Sequence, residues 1–168
     1  MLIWFICVIA LVFLDQLSKW LAVIYLEGNA PFYFIPGFLR FSYVENRGAA
    51  FGMLQNAQVF FIIATIIACG AMLYFMIKEY RCMHTAMRVS LALIFAGALG
   101  NFIDRVALGH VRDMLYFELI DFPVFNVADS AICVGAAILI IDLLFFKGKA
   151  FAESFDKKNA GNNGEEKE

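Results

Sequence analysis

Residues 125–146 read FNVADSAICVGAAILIIDLLFF, an apolar run long enough to cross a bilayer and interrupted near its start by Asp129. About twenty predominantly apolar residues cross a hydrocarbon core of roughly 30 Å. A carboxylate inside such a segment costs about 2.5 to 3.5 kcal/mol at the helix centre and less towards an interface. Something must offset the charge of Asp129 or use it.

Three further stretches of this kind lie upstream, giving expected spans at about 2–26, 59–77, 89–108 and 126–146. The composition agrees. The chain has 168 residues, of which 62% are hydrophobic and 17% charged, and its mean hydropathy is +0.77. Soluble domains are about 45 to 50% apolar. The sequence therefore predicts an all-α membrane bundle of four transmembrane helices.

The formal net charge of −2 comes with no basic stripe, which argues against a nucleic-acid partner. Cys7, Cys69, Cys82 and Cys133 lack metal-ligand spacing and are read as packing residues rather than a disulfide frame. The first span has no basic segment before it and no small-residue cleavage site, so it is expected to remain in the mature protein.

Basic residues orient the bundle. Lys78, Arg81 and Arg88 lie between spans two and three, and Lys147, Lys149, Lys157 and Lys158 follow span four. Arg40, Arg47 and Arg112 occupy the other two connections. The positive-inside rule then puts both termini in the cytoplasm and the segments 28–56 and 109–125 outside. Residues 1–150 are expected to form one integral-membrane domain. Residues 151–168 turn polar and read as a disordered cytoplasmic tail.

The outer segment PFYFIPGFLRFSYVEN is broken by Pro31, Pro36 and Gly37, which exclude a long helix. Its alternation sets Phe38, Arg40 and Ser42 on one face and Leu39, Phe41 and Tyr43 on the other, as in short strands lying at the interface. Either these aromatics anchor the protein at headgroup depth or they form a platform for a lipid-bearing substrate.

Asp15, Lys19, Asn101, Asp104, Arg105, Asn126 and Asp129 all fall in the outward half of the spans, and only Asp142 lies near the inner end. Residues three and four apart share a helix face, so each span can turn one polar stripe inward. Asp15 and Lys19 read as an i,i+4 pair with Lys19 extending to the interface. Asp104 and Arg105 read either as an ion-pair network holding helices in register or as substrate contacts.

Asp113, just beyond span three, and Asp129, one turn into span four, are joined by a connection short enough to bring them together. Two carboxylates sharing a site cannot both ionise easily, so one proton is held between them. Such a pair can activate water while polarising a carbonyl, the chemistry of aspartic proteases. No HExxH or other metal-ligand cluster competes, and Ser130 has neither a histidine base in its span nor a GxSxG elbow. An ion or proton path would need polar residues continuing to the inner face, and apart from Asp142 none is placed there.

The motifs LDQLSKW at Asp15, ENRGAAFG at Asn46 and Gly48, GNFIDRV at Asn101, VRDMLYF at Asp113 and FNVADSAI at Asn126 occur in order. Over nearly all of residues 1–150 the chain resembles lipoprotein signal peptidase, also called signal peptidase II, a bacterial inner-membrane aspartyl protease family. The resemblance implies cleavage of diacylglyceryl-modified prolipoproteins on the N-terminal side of the lipidated lipobox cysteine. It also implies a catalytic dyad of Asp113 and Asp129. Asp15, Asn46, Gly48, Asn101, Asp104, Arg105, Asn126 and Ala128 would line or brace the site. The implied fold is four helices with a small extracytoplasmic β-rich cradle and a short outer helix between the first two. We expect a monomer surrounded by membrane lipid, with no metal or cofactor, working near the outer face of the inner membrane.

Overall fold

The computed structural model describes residues 1–48 and 54–146. Four helices in it are long and apolar enough to cross a membrane. They are α1 (Leu2–Leu26), α2 (Gln58–Glu79), α3 (Thr85–Leu108) and α4 (Val127–Ile141), the last continued by a π-helical turn at Asp142–Phe146. Span three begins four residues before its expected start. The expected short outer helix between the first two spans has no counterpart among the described residues there, and 49–53 lie outside them. So do the tail and Lys147, Lys149, Lys157 and Lys158, on which the expected orientation partly rests.

Helix α3 is the axis of the bundle and packs against the other three helices. Its apolar core partners are Trp4 and Val8 of α1, Cys69 and Met76 of α2, and its own Met87, Leu91 and Phe95. The outer faces stay apolar and exposed, with Ile3, Ile67 and Phe145 among the most open. In water that surface would be a liability, but in a bilayer it is the solvent-matched one.

Small residues let α4 approach α3 closely. A Cβ added at Gly97 would lie 2.3 Å from the Ala128 carbonyl oxygen, and one at Gly135 would lie 2.8 Å from that of Ser90. Close backbone approach through small residues is how helices associate in lipid, where burying apolar surface provides little driving force.

The expected strands form and are joined by a third from elsewhere in the chain. β1 (Phe32–Ile35) and β2 (Leu39–Asn46) make a hairpin, and β3 (Val111–Phe117) pairs antiparallel with β2. The sheet order is β1-β2-β3. Gly109 makes this possible: at φ 75 it ends α3 in the left-handed region, donates its N–H to the Arg105 carbonyl and turns the chain straight into β3.

After β3 a 3-10 turn (Glu118–Ile120) reverses the chain. Phe125 then pairs with Leu115, its N–H donating to the Leu115 carbonyl at 2.9 Å and its own carbonyl accepting from Leu115 at 2.8 Å. The residue that follows, Asn126, is thereby delivered beside β3 and opens α4.

Candidate active site

The cap of α4 organises the site. Asn126 is the N-cap: its Oδ1 accepts from the Asp129 backbone N–H at 2.9 Å, and the Asp129 carboxylate accepts from the Asn126 backbone N–H at 3.2 Å. This is a capping box closed by an aspartate instead of a glutamate. The Asn126 amide nitrogen donates at 2.6 Å to Asp113 Oδ1 and at 3.1 Å to Asn101 Oδ1. One asparagine thus touches both aspartates of the expected pair.

Each aspartate has a second donor. Asn46 Nδ2 donates to Asp113 Oδ2 at 2.9 Å, and Asn101 Nδ2 donates to Asp129 Oδ1 at 2.7 Å. Asn46 reaches Asp113 because β2 and β3 set Val44 opposite Asp113, which makes Asn46 its diagonal neighbour on the same face. The Asn46 side-chain Oδ1 accepts from the Gly48 N–H at 2.9 Å. Asp113 is 1% exposed. Burial, with the Asp129 charge adding to it, pushes its carboxyl up to about 7 against the pull of the Asn46 and Asn126 hydrogen bonds.

Beneath the pair lies a network of charges. Lys19 Nζ is 2.9 Å from Asp15 Oδ2 and 3.5 Å from Asp104 Oδ2, and donates to Asn101 Oδ1 at 2.9 Å. Arg112 binds Asp104 through its backbone N–H at 2.9 Å and its Nη2 at 2.7 Å. Gln16 links Asp15, Asp104 and Arg112. Asp15 Oδ1 also accepts the Ala128 N–H at 2.9 Å, so α1 holds the first turn of α4 directly.

Two expectations change here. Lys19 pairs with Asp15 as anticipated, but it does not extend to the interface: it is 0% exposed, because α3 brings Asp104 and Asn101 within its reach. Asp104 and Arg105 also separate, as neighbours on a helix must diverge by about 100°. Asp104 turns to Lys19 and Arg112. Arg105 turns to the other side, donating to the Gly48 carbonyl at 3.3 Å with its guanidinium 4.7 Å above the Phe61 ring.

Gln16 and Arg112 are additions that sequence reasoning missed. Arg112 was legible in principle: on a strand it must face away from Asp113, towards the α3 face that carries Asp104. The cysteines are free, but only Cys69 is buried, whereas Cys7 and Cys133 are exposed and do not pack in the core.

A cleft of about 530 Å³ opens over the site, lined by Asn46, Gly48, Asn101, Arg105, Asp129 and an apolar wall. Asp129 is part of its lining, and Asp113 lies behind it. The wall includes Phe117, Phe122 and Phe125, stacked edge to face or tilted at 5.3 to 5.6 Å. The hairpin aromatics Phe32, Tyr33 and Phe34 are not part of this wall; they are exposed, with Phe32 and Phe34 packed on Phe41. Among the described residues no group of His, Cys, Asp and Glu is arranged to hold a metal ion.

Fold and site together define a multi-pass membrane protein with a hydrogen-bonded carboxylate pair at one end of its helix bundle. A family model described as Signal peptidase (SPase) II matches residues 7–145. The chain belongs to that family of membrane peptidases. It is 44% identical over 138 residues to the lipoprotein signal peptidase of Streptococcus thermophilus, covering 82% of this chain and 90% of that one. The lipoprotein signal peptidase of Caldanaerobacter subterraneus is 50% identical over 138 residues, with 82% and 92% covered. Among solved structures, a bacterial membrane enzyme determined by the in meso method at 1.9 Å resolution aligns with TM-score 0.77 and 39% identity, over 86% of this chain and 94% of that one.

Proposed function

We propose that this protein removes the signal peptide from diacylglyceryl-modified prolipoproteins, cutting on the N-terminal side of the lipidated cysteine, with Asp113 and Asp129 as a water-activating dyad. The observation that carries the reading is the Asn126 bridge, which hydrogen-bonds both carboxylates at the head of a cleft with an apolar wall. The names of the relatives, all lipoprotein signal peptidases, supply the substrate class.

In this mechanism the ionised aspartate takes a proton from water as the water oxygen adds to the scissile carbonyl carbon. The protonated aspartate gives its proton to the carbonyl oxygen, forming a gem-diol. The C–N bond then breaks: the cysteine nitrogen takes the proton held by the first aspartate, and a diol hydroxyl returns one to the second. Neither a metal nor a covalent intermediate is needed. A peptide helix buries its carbonyls in its own hydrogen bonds, so the scissile segment must unwind, and a polar-lined cleft is where unwound backbone is tolerated at membrane depth.

The same reading puts both termini in the cytoplasm and the dyad at the outer face of the inner membrane, where the acyl chains of a lipidated cysteine sit in the outer leaflet. Residues 1–150 then act as one peptidase domain, as a monomer and without a cofactor. Asn46, Gly48 and Arg105 line the substrate path, while Asp15, Asn101, Asp104, Asn126 and Ala128 brace the dyad.

The test is cleavage of a diacylglyceryl-modified prolipoprotein by the purified protein, beside the unmodified precursor. Asp113→Asn and Asp129→Asn are each expected to lose turnover by at least about a hundredfold, the usual contribution of a positioned acid or base, while still unfolding cooperatively in detergent. Turnover retained in either folded variant would remove that residue from the chemistry.

A further inference from the structure

Lys19 is left without a task by the mechanism above, yet it is completely enclosed. Enclosing an ammonium is costly unless it is paired, and its pairing is directional. Asn101 Oδ1 receives two donors, Lys19 Nζ at 2.9 Å and Asn126 Nδ2 at 3.1 Å. An ammonium has no lone pair and cannot accept. The Asn101 amide therefore has one permitted orientation, oxygen towards Lys19 and nitrogen towards Asp129, where Nδ2 donates to Oδ1 at 2.7 Å.

The two aspartates consequently differ in what they receive. Asp129 accepts from an amide polarised by an ammonium and from a backbone N–H at the start of α4, where the helix dipole favours negative charge. Asp113 accepts from the neutral amides of Asn46 and Asn126 and lies behind the cleft surface. Chains of hydrogen bonds strengthen one another in a low dielectric, so the Lys19-to-Asn101 link bears on Asp129 first.

Around the pair stand Asp15 and Lys19 of α1 and Arg105 of α3; Asp104 of α3 and Arg112 of β3 lie one layer away, paired with each other, with Lys19 beside Asp104, and Tyr43 and Glu45 belong to β2. Lys19 and Arg112 balance Asp15 and Asp104. Arg105 is then matched by a single negative charge shared between Asp113 and Asp129.

We propose that Lys19 is a positioning residue: by holding the Asn101 oxygen it aims the Asn101 N–H at Asp129, so that the negative charge of the pair rests on Asp129 at the cleft and the proton on Asp113 behind it. The inference rests on the dyad reading. It assigns Asp129 to take the water proton and Asp113 to protonate the carbonyl.

The experiment is the pH profile of kcat/KM on the diacylglyceryl-modified precursor, with thermal unfolding alongside, for the full chain, Lys19→Met, Asn101→Leu and the double variant. In folded Lys19→Met the bell is expected to move to higher pH by about one unit, the scale of losing a nearby opposite charge. In the Asn101→Leu background, Lys19→Met is expected to move it by less than half as much, because only the direct charge of Lys19 is then lost. A bell that stays in place while turnover falls would make Lys19 merely structural, and a full shift persisting without Asn101 would remove the relay. Should Lys19→Met not fold, Lys19→Gln takes its place, with the same direction expected and the same outcomes counting against the idea. Isotope-edited infrared spectra add a second readout: the protonated-carboxyl band should persist in Asp129→Asn and vanish in Asp113→Asn, and the reverse overturns the assignment. Turnover surviving in Asp113→Asn or Asp129→Asn would instead sink the dyad itself.

Discussion

Asp113 links stability to pH in a direction opposite to that of most carboxylates. Its carboxyl is pushed up to about 7 in the folded protein, whereas an unfolded aspartate titrates near 3.9. Between those values the native state holds a proton that the unfolded state has lost, so stability is fully present below about pH 4 and falls as pH rises towards 7. The total is on the order of 4 kcal/mol at 1.36 kcal/mol per unit. Melting measured in detergent should show a decline from pH 5 to pH 8 that Asp113→Asn flattens. An unchanged slope in that variant would assign the decline to other groups. At this scale much was legible from sequence, because a polar group in an apolar span is costly and so stands out. Asp15, Asn101, Asp104, Asn126 and Asp129 were all visible on that ground. What a single helix cannot reveal is a partner arriving from another helix, and so the burial of Lys19 under Asp104 and Asn101 went unread.

At the scale of elements, the contact between α3 and α4 positions the head of α4, and glycine makes it possible. Gly97→Ala would drive a methyl into the Ala128 backbone and Ile132. Overpacking of this kind costs about 1 to 3 kcal/mol, and here it would displace the turn that carries Asp129. We expect Gly97→Ala to lower both the melting temperature and turnover, whereas Gly70→Ala, with nothing within 4 Å of the added methyl, should leave turnover unchanged. Equal behaviour of the two would mean that the helix contact does not set the site. The far end of α4 is tied as well, by Asp142 at 2.7 Å from His84. The four spans were legible because length and apolar content suffice to define them. Strand β3 was not: VRDMLYF is short and lies directly after a helix, and its pairing partner, β2, is more than sixty residues away in sequence. Nothing local records that pairing.

For the whole molecule, the proposed orientation has a direct check. Asn29 is exposed in the connection between α1 and β1, and Cys82 lies between α2 and α3, at the opposite end of the bundle. With the other native cysteines replaced, a membrane-impermeant maleimide applied to intact spheroplasts should label Asn29→Cys and spare Cys82. The reverse pattern would invert the protein and put the sheet in the cytoplasm. That orientation was argued from loop lysines and arginines alone, some of them in the tail beyond the described residues.

The Asn126 cap carries a consequence for biogenesis. The side chain that closes the first turn of the last helix is also the one that joins the two aspartates, and Asp15 of the first helix grips the same turn. On the proposed chemistry, a chain whose final helix has not yet entered the bilayer therefore has no assembled dyad. Hydrolysis then becomes a report that insertion is complete.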